Sequence, residues 1–500
     1  MPDDKEAQAW FELGDMPVEE FRTALHRVAD WAADYREGIE DLKISPNVAP
    51  GEIAARLPEA PPDVAVPFKD IFRDFQKIIL PGIVHWGHPA FLGYFGSTTT
   101  APGILGEMLV AALNVSAMTW RTSPAATELE TLVLDWLRQM LGLSRDFTGV
   151  VYDTASVAVL HALAAARENL GLDARALGLC GRPEVPALRV YASDQAHSSV
   201  EKAVITLGIG ERNVRRVSSD ATYRIGISAL RSAIEADLRD GLLPMAVVAT
   251  VGTTSTTSVD PVEEIAALCH EYRLWLHVDA AYGGAMALLP EGRHLMNGVE
   301  AADSIVVNPH KWLFVPLDFS ALYVRRPELL RATFSLVPEY LRGDAEQAEC
   351  NYMDYGIQLG RRFRALKVWM VIRSFGSRGL ATRIREHIRL ASLFAFWLDA
   401  DPQFEVLAPV TMAVVCFRIA PHTAGSTRVV DEELNGLNRR LVEAVNRTGE
   451  AYLTHTTLNG HVAMRLAVGN VLTTARHLTR VYDLIRREAA HLVAAVGASY

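Results

Sequence analysis

The stretch SIVVNPHKWLFVPLDFSALYVRR, residues 304–326, carries the first decision about this chain. Its two ends, SIVVN (304–308) and SALYVRR (320–326), read as short buried strands. Between them Lys311 stands between His310 and Trp312, just ahead of a further apolar run. A lysine costs free energy to desolvate and is seldom fully buried without a partner. Lys311 is therefore either a surface residue on a turn or a functional amine.

Upstream, from about residue 120 onward, strand-like runs alternate with helical ones. GVVY (149–152) precedes SVAVLHALAAAREN (156–169), and LRVYAS (188–193) precedes SSVEKAVITLG (198–208). MAVVATVG (245–252) precedes PVEEIAALCHEY (261–272), and LWLHVDA (274–280) follows. Short strands separated by helices predict βαβ units and a mostly parallel sheet, an α/β fold. In such sheets ligands sit at the carboxyl ends of the strands. Residues 1–95 read as a helical segment broken by proline: VEEFRTALHRVADWAADYREG (18–38) is periodic and PEAPPDVAVP (58–67) interrupts it. After GSRGL (376–380) a helical stretch leads to AVVCFRI (413–419) and HVAMRLAV (461–468), a smaller α+β unit. The expected division is an N-terminal helical segment at 1–95, a large domain at 96–376 and a small C-terminal domain at 377–500.

The bulk numbers narrow the function classes. Five hundred residues, half of them apolar and 22% charged, suit a globular protein with a sizeable core. The net charge of −10 and the lack of a Lys/Arg-rich run argue against nucleic-acid or membrane-surface binding. The opening MPDDKEAQAW is acidic and unlike a signal peptide, and no window reaches the ~18 unbroken apolar residues of a membrane span. Cys180, Cys269, Cys350 and Cys416 lie far apart, with neither metal-ligand nor disulfide-framework spacing. A cytoplasmic protein with reduced thiols and no bound metal is expected.

Four strand-to-loop junctions carry polar residues where this architecture puts a ligand. In VVYDTASVAVLHALAAAR, Thr154 and Ser156 stand where a strand ends and a helix begins; they either cradle a phosphate or simply cap the helix. In YASDQAHSSVEKA, His197 is either a structural hydrogen-bonder or a catalyst. Thr254, in ATVGTTSTTSVDP, lies in a hydroxyl-rich loop that touches a ligand or merely turns. Asp279, in LWLHVDAAYGGA, ends an apolar strand and either balances a buried positive charge or forms an Asx turn. The small residues after it leave room for something flat. A buried lysine with a strand-end aspartate suggests pyridoxal phosphate. The amine would bond the cofactor aldehyde, and the carboxylate would hold the pyridine nitrogen protonated so that the ring accepts electrons. The phosphate needs a helix N-terminus and the ring a flat partner, and each junction supplies one part.

Further stretches carry a resemblance. HWGHPAFLGYF (85–95), TSPAATELETLVLDWL (122–137), SDQAHSSVEKA (193–203), HVDAAYGG (277–284), ADSIVVNPHKW (302–312) and LGRRFRALKVW (359–369) resemble the pyridoxal-phosphate-dependent decarboxylases of the aromatic L-amino-acid type, the group II family. The resemblance runs from residue 85 to about residue 390 and implies the type I aminotransferase fold with a seven-stranded sheet and helices on both faces. It implies that Lys311 bonds the cofactor, that Asp279 faces the pyridine nitrogen and that His197 stacks on the ring. Ala155, Ser156 and Asn308, with Thr154 beside them, would hold the phosphate; Thr254 and Ala281 would line the cofactor, and His310 would flank the lysine. Tyr340, in PEYLRGDAEQAE, matches the family's mobile-loop tyrosine that returns a proton to the substrate carbon. Trp86, Tyr94, Phe95 and Ser97 match the substrate pocket. Family members are homodimers with the site at the interface, so Ser116 and Met118 would serve the partner's pocket.

The resemblance implies decarboxylation of an aromatic L-amino acid to its amine. Its main rival is an aldehyde synthase on the same scaffold, a change that goes in the family with loss of the loop tyrosine or the stacking histidine; both residues are present. In plant relatives a glycine at the position of Gly360 goes with indole substrates, which favours tryptophan or 5-hydroxytryptophan over phenylalanine, tyrosine and dopa. The chain departs from the family pattern in several places. Asp153 and Val157 replace a glycine and a glutamate beside the phosphate-binding serine, and Gly96-Ser97 replaces Pro-Thr. Ser116 and Met118 replace bulkier apolar residues and suggest a roomier pocket. An aspartate at 153 needs a donor between itself and a phosphate.

Overall fold

The runs read as strands form β1 (Thr148–Tyr152), β2 (Leu188–Ser193), β3 (Val214–Val217), β4 (Leu243–Thr250), β5 (Trp275–Asp279), β6 (Ser304–Val307) and β7 (Ser320–Val324) in a computed structural model. It describes residues 15–96, 99–336, 350–421 and 431–497. The strands make one mixed sheet in the order β1-β7-β6-β5-β4-β2-β3. The β6-β5-β4-β2-β3 ladder is parallel, and only β7 runs against its two neighbours. β5, β6 and β7 are buried along their whole length, as expected of strands covered on both faces. The helix Ala155–Glu168 packs across the central strands; nearly every residue from Ala158 to Ala166 is buried, which explains an alanine-rich sequence without a polar face. Helices Ile227–Arg239 and Val262–Tyr272 cover β3, β4 and β5.

The second sheet is small and antiparallel, in the order β10-β11-β9-β8, from β8 (Phe404–Val406), β9 (Val414–Ile419), β10 (Thr454–Leu458) and β11 (His461–Ala467). A segment from the other end of the chain is stitched to it. Tyr452 N–H donates to Ala90 O, Leu92 N–H to Tyr452 O and Ala467 N–H to Leu92 O, at 3.1, 2.9 and 2.8 Å.

A long helix, Ala365–Asp399, leads into the small sheet and is broken at Gly376, where φ is 65° and ψ 164°. Its first half lies against the helix Ala101–Leu113 so closely that a Cβ on Gly106 would stand 2.6 Å from Lys367 Cα. The N-terminal region is helical at Val18–Glu37 and Phe68–Asp74, and Ala24 is the only buried residue of the first helix. No helix among the described residues is long and apolar enough to cross a membrane.

Candidate active site

The one-turn helix Pro309–Trp312 explains why the lysine is flanked as it is. Asn308 starts the turn, Lys311 N–H donates to Asn308 O at 2.9 Å, and both neighbours of Lys311 are buried and tied down. His310 Nδ1 accepts the Phe319 N–H at 3.0 Å. Trp312 stacks on Tyr282 with ring centroids 4.5 Å apart, and its Nε1–H donates to His387 Nδ1 at 3.1 Å. Tyr282 stacks in turn on Phe95, and the Lys311 amine stands 5.2 Å over the Phe95 ring. The surface alternative for Lys311 fails: part of the residue is accessible, but its amine is enclosed, and burial lowers its pKa against the opposing pull of Asp279.

Asp279 is buried at the end of β5, one Oδ1 accepting the Ala281 N–H at 3.0 Å. That is the Asx turn considered from sequence, and it occupies one oxygen only. The two glycines after Tyr282 do not leave space for a ligand. A Cβ on Gly283 would stand 2.3 Å from Val251 O, and one on Gly284 would stand 2.8 Å from Val307. They permit close strand packing, which corrects the sequence reading.

His197 accepts the Ser199 N–H on Nδ1 at 3.1 Å, so a neutral ring carries its proton on Nε2. The residue is exposed, yet crowding around its ring lowers its pKa, desolvation outweighing the attraction of Asp279. Thr154 caps the helix Ala155–Glu168 without a side-chain cap bond, so the first N–H groups, at Ala155 and Ser156, have no helical partner and suit an anion. Asp153 finds its donors in the Thr154 N–H at 2.6 Å, the Thr154 hydroxyl at 3.3 Å and Gln358 Nε2 at 3.5 Å. Asn308 is more committed than expected: its Oδ1 accepts from Ser320 Oγ at 2.6 Å and its Nδ2 lies 3.3 Å from His310 Nε2. Ala281 is buried and its carbonyl accepts the Asn308 N–H, while Thr254 is exposed on its loop.

Trp86 and Tyr94 stack at 5.3 Å and 4° in an aromatic group with Phe91 and Tyr452. Tyr94 holds φ at 54°, uncommon for a bulky residue and found most at functional sites. Ser116, Met118 and Gly360 come together elsewhere. Ser116 Oγ accepts the Arg361 N–H at 3.3 Å and Met118 O accepts the Met353 N–H at 3.1 Å. Arg361, buried and paired with Glu130 at 2.6 Å, ties this group to β1 through Val151 O. Ser97 and Tyr340 lie outside the described residues.

Sequence reasoning missed Arg465. It is buried on β11, donating from Nε to Thr254 O at 2.9 Å and from Nη1 to Tyr94 O at 2.6 Å, with its guanidinium 4.6 Å over Phe95. The signal was an arginine inside the apolar run HVAMRLAV. Its Nη2, Tyr282 OH, Thr250 Oγ1, Ser199 Oγ and His277 Nε2 are buried without a partner, and their residues stand in or beside the Lys311–Asp279 cluster. Orphaned polar atoms at this end of the sheet suit a polar ligand. Among the described residues no group of His, Cys, Asp and Glu is arranged to hold a metal ion.

An enclosed amine, a strand-end carboxylate and a free helix N-terminus at one end of an α/β sheet define a pyridoxal-phosphate site. The model of the pyridoxal-dependent decarboxylase conserved domain matches residues 50–420, and the chain belongs to that family. It is 42% identical over 493 residues to tryptophan decarboxylase 2 of Oryza sativa subsp. japonica, covering 96% of this chain and 97% of that one. It is 39% identical to the phenylacetaldehyde synthase of a Rosa hybrid cultivar, covering 94% of each. The crystal structure of Oryza sativa TDC with PLP and tryptamine superimposes with a TM-score of 0.92 at 37% identity, over 96% of this chain and 100% of that one. The residues present fit the cofactor: Lys311 for the aldehyde carbon, Asp279 for the ring nitrogen, and the start of the helix Ala155–Glu168 for the phosphate.

Proposed function

We propose that this enzyme decarboxylates an aromatic L-amino acid, with tryptophan or 5-hydroxytryptophan favoured, releasing the amine and carbon dioxide. The observation that carries the reading is the enclosed Lys311 amine beside Asp279, with the stacked rings of Phe95 and Tyr282 next to it. Bound pyridoxal phosphate supplies an electron sink for the pair left on the substrate carbon when carbon dioxide departs. Burial favours the neutral, nucleophilic form of the Lys311 amine. Asp279 keeps one carboxylate oxygen for the ring nitrogen. His197 offers a ring face and an Nε2–H. Arg465, which has no carboxylate partner among the described residues, suits an anionic group entering the cleft. The stacked Trp86–Tyr94 pair is an aromatic platform for a flat side chain.

In this reading Tyr340 returns the proton to the substrate carbon, resting on the resemblance of PEYLRGDAEQAE and on general acid catalysis. Tyr340→Phe should lose amine formation by about a hundredfold or more and gain aldehyde, ammonia and peroxide. Amine and peroxide measured together in air decide it: a wild-type enzyme making mostly peroxide supports the aldehyde-synthase alternative, and a mutant still making only amine removes Tyr340 from the chemistry.

Gly360 is read as leaving room for an indole. A Cβ built on it meets nothing within 4 Å, so serine there leaves the chain's own packing intact. Gly360→Ser should depress kcat/KM for tryptophan relative to tyrosine by about tenfold to two-hundredfold. A ratio unchanged across an amine-release screen of the aromatic amino acids would remove this position from specificity.

The same reading includes a homodimer. Leu105, Leu109 and Leu113 recur every four residues on the helix Ala101–Leu113 and are about half exposed, an apolar row that a second copy would cover. Ser116 follows that row directly, and Arg362, paired with Glu107 of the same helix, brings Gly360 beside it. A partner seated there would meet the Ser116–Gly360 group. Light scattering should give a dimer for the native chain and a monomer for Leu109→Glu; a monomeric native chain would end this assignment.

A further inference from the structure

Beyond the residues that would touch the cofactor, β5 carries a hydrogen-bond chain behind Asp279. Trp275, His277 and Asp279 alternate along the strand and so share one face of the sheet. Ser304 stands opposite His277 on β6. Trp275 Nε1–H donates to Ser304 Oγ at 2.9 Å, and Ser304 Oγ lies 2.8 Å from His277 Nδ1. His277 is fully buried, and its Nε2 has no partner.

The hydrogen count selects the tautomer. Burial drives the His277 pKa down to about 4, so the ring is neutral and carries one proton. With that proton on Nδ1, both the Ser304 hydroxyl hydrogen and the Nε2 lone pair would lack partners. With the proton on Nε2, the Ser304 hydroxyl donates to Nδ1 and only the Nε2–H remains unanswered. Asp279 is the charged group whose field reaches the ring. One Asp279 oxygen holds the Ala281 N–H. Two residues along a strand is about 6.6 Å at 3.3 Å per residue, which leaves room for one bridging water but is long for a direct bond.

We infer that His277 is a positioning residue: it points its Nε2–H toward the Asp279 carboxylate through a single water, and the Ser304–Trp275 pair locks its ring for that task. The carboxylate is thereby aimed at the cofactor's ring nitrogen. Partners behind metal ligands act this way by fixing ligand orientation, with losses of about tenfold to a hundredfold on mutation, and the same scale is expected for a carboxylate that faces a cofactor.

The inference rests on Asp279 facing the ring nitrogen, and the test separates the two. His277→Gln keeps an N–H near the Nε2 position; His277→Asn reaches only as far as Nδ1. Both are reconstituted with pyridoxal phosphate labelled with nitrogen-15 in the ring. The nitrogen shift, which reports protonation, and the cofactor dissociation constant are then read. In the wild type a nitrogen already unprotonated would refute the premise about Asp279. With that nitrogen protonated, the expected pattern is a wild-type-like Gln variant and an Asn variant that loses the protonated signal and binds about tenfold or more weakly. Any other pattern assigns His277 to the core alone and overturns the inference: both variants normal, both equally weak, or weaker binding with the nitrogen still protonated.

Discussion

Lys311→Ala should leave no cofactor covalently fixed to the chain after borohydride reduction and should lower turnover by about a thousandfold or more. The size follows from what the side chain does: no other group in the cluster is an enclosed amine, so nothing takes its place. A second consequence is independent of activity. Burial lowers the Lys311 pKa in the folded apoprotein below the ordinary lysine value of 10.5. Between the lowered value and 10.5 the unfolded chain binds more protons at this site than the folded one, so stability rises with pH across that window. Below the folded pKa both states are protonated and the penalty for burying the charge is constant. The alanine variant loses this slope, and denaturant titrations of both apoproteins from neutral to alkaline pH display the difference. Cofactor recovered on another lysine after peptide mapping would refute the assignment.

Asp279→Asn should weaken cofactor binding by about tenfold to a hundredfold and slow the chemical step further, while Asp279→Glu loses less. The carboxamide oxygen of asparagine can still accept the Ala281 N–H that Asp279 accepts at 3.0 Å, so the strand end keeps its turn and the change isolates the charge. A charge-assisted hydrogen bond contributes about 1.5–3 kcal/mol, which corresponds to that range in affinity. The effect on the chemistry exceeds the effect on binding because an unprotonated ring draws electrons poorly. A fully active Asp279→Asn enzyme would remove the electron-sink role from this residue.

The parts of the fold visible in the sequence were those with a continuous apolar signal. β2 matches the run LRVYAS end to end, and β5 and β6 lie inside LWLHVDA and SIVVN. β3 went unread because VRRV is a four-residue edge strand with two arginines at its centre, one of them paired with the buried Asp237, and no apolar run announces it. The reversal of β7 was hidden because direction leaves no mark in hydropathy. At the site, Lys311, Asp279, His197 and Thr154 were legible because each stands where a strand or turn ends. Arg465, the Phe95–Tyr282–Trp312 stack and the His277–Ser304–Trp275 chain were not, because their meaning arises only when segments far apart in sequence meet.

The stitching of residues 90–92 to the small sheet also dictates when the cleft can form. Arg465 reaches Tyr94 across 371 residues and Thr473 reaches Pro89 across 384, so the aromatic platform waits for nearly the last part of the chain. During synthesis all seven strands of the large sheet emerge before the small sheet that HPAFLGYF joins. Long-range closures of this kind form late and leave apolar surface uncovered in the meantime. The Trp86–Tyr94 platform is thus complete only once the C-terminal strands have emerged, and until then Phe91 and Leu92, buried in the finished fold, lack the sheet that covers them.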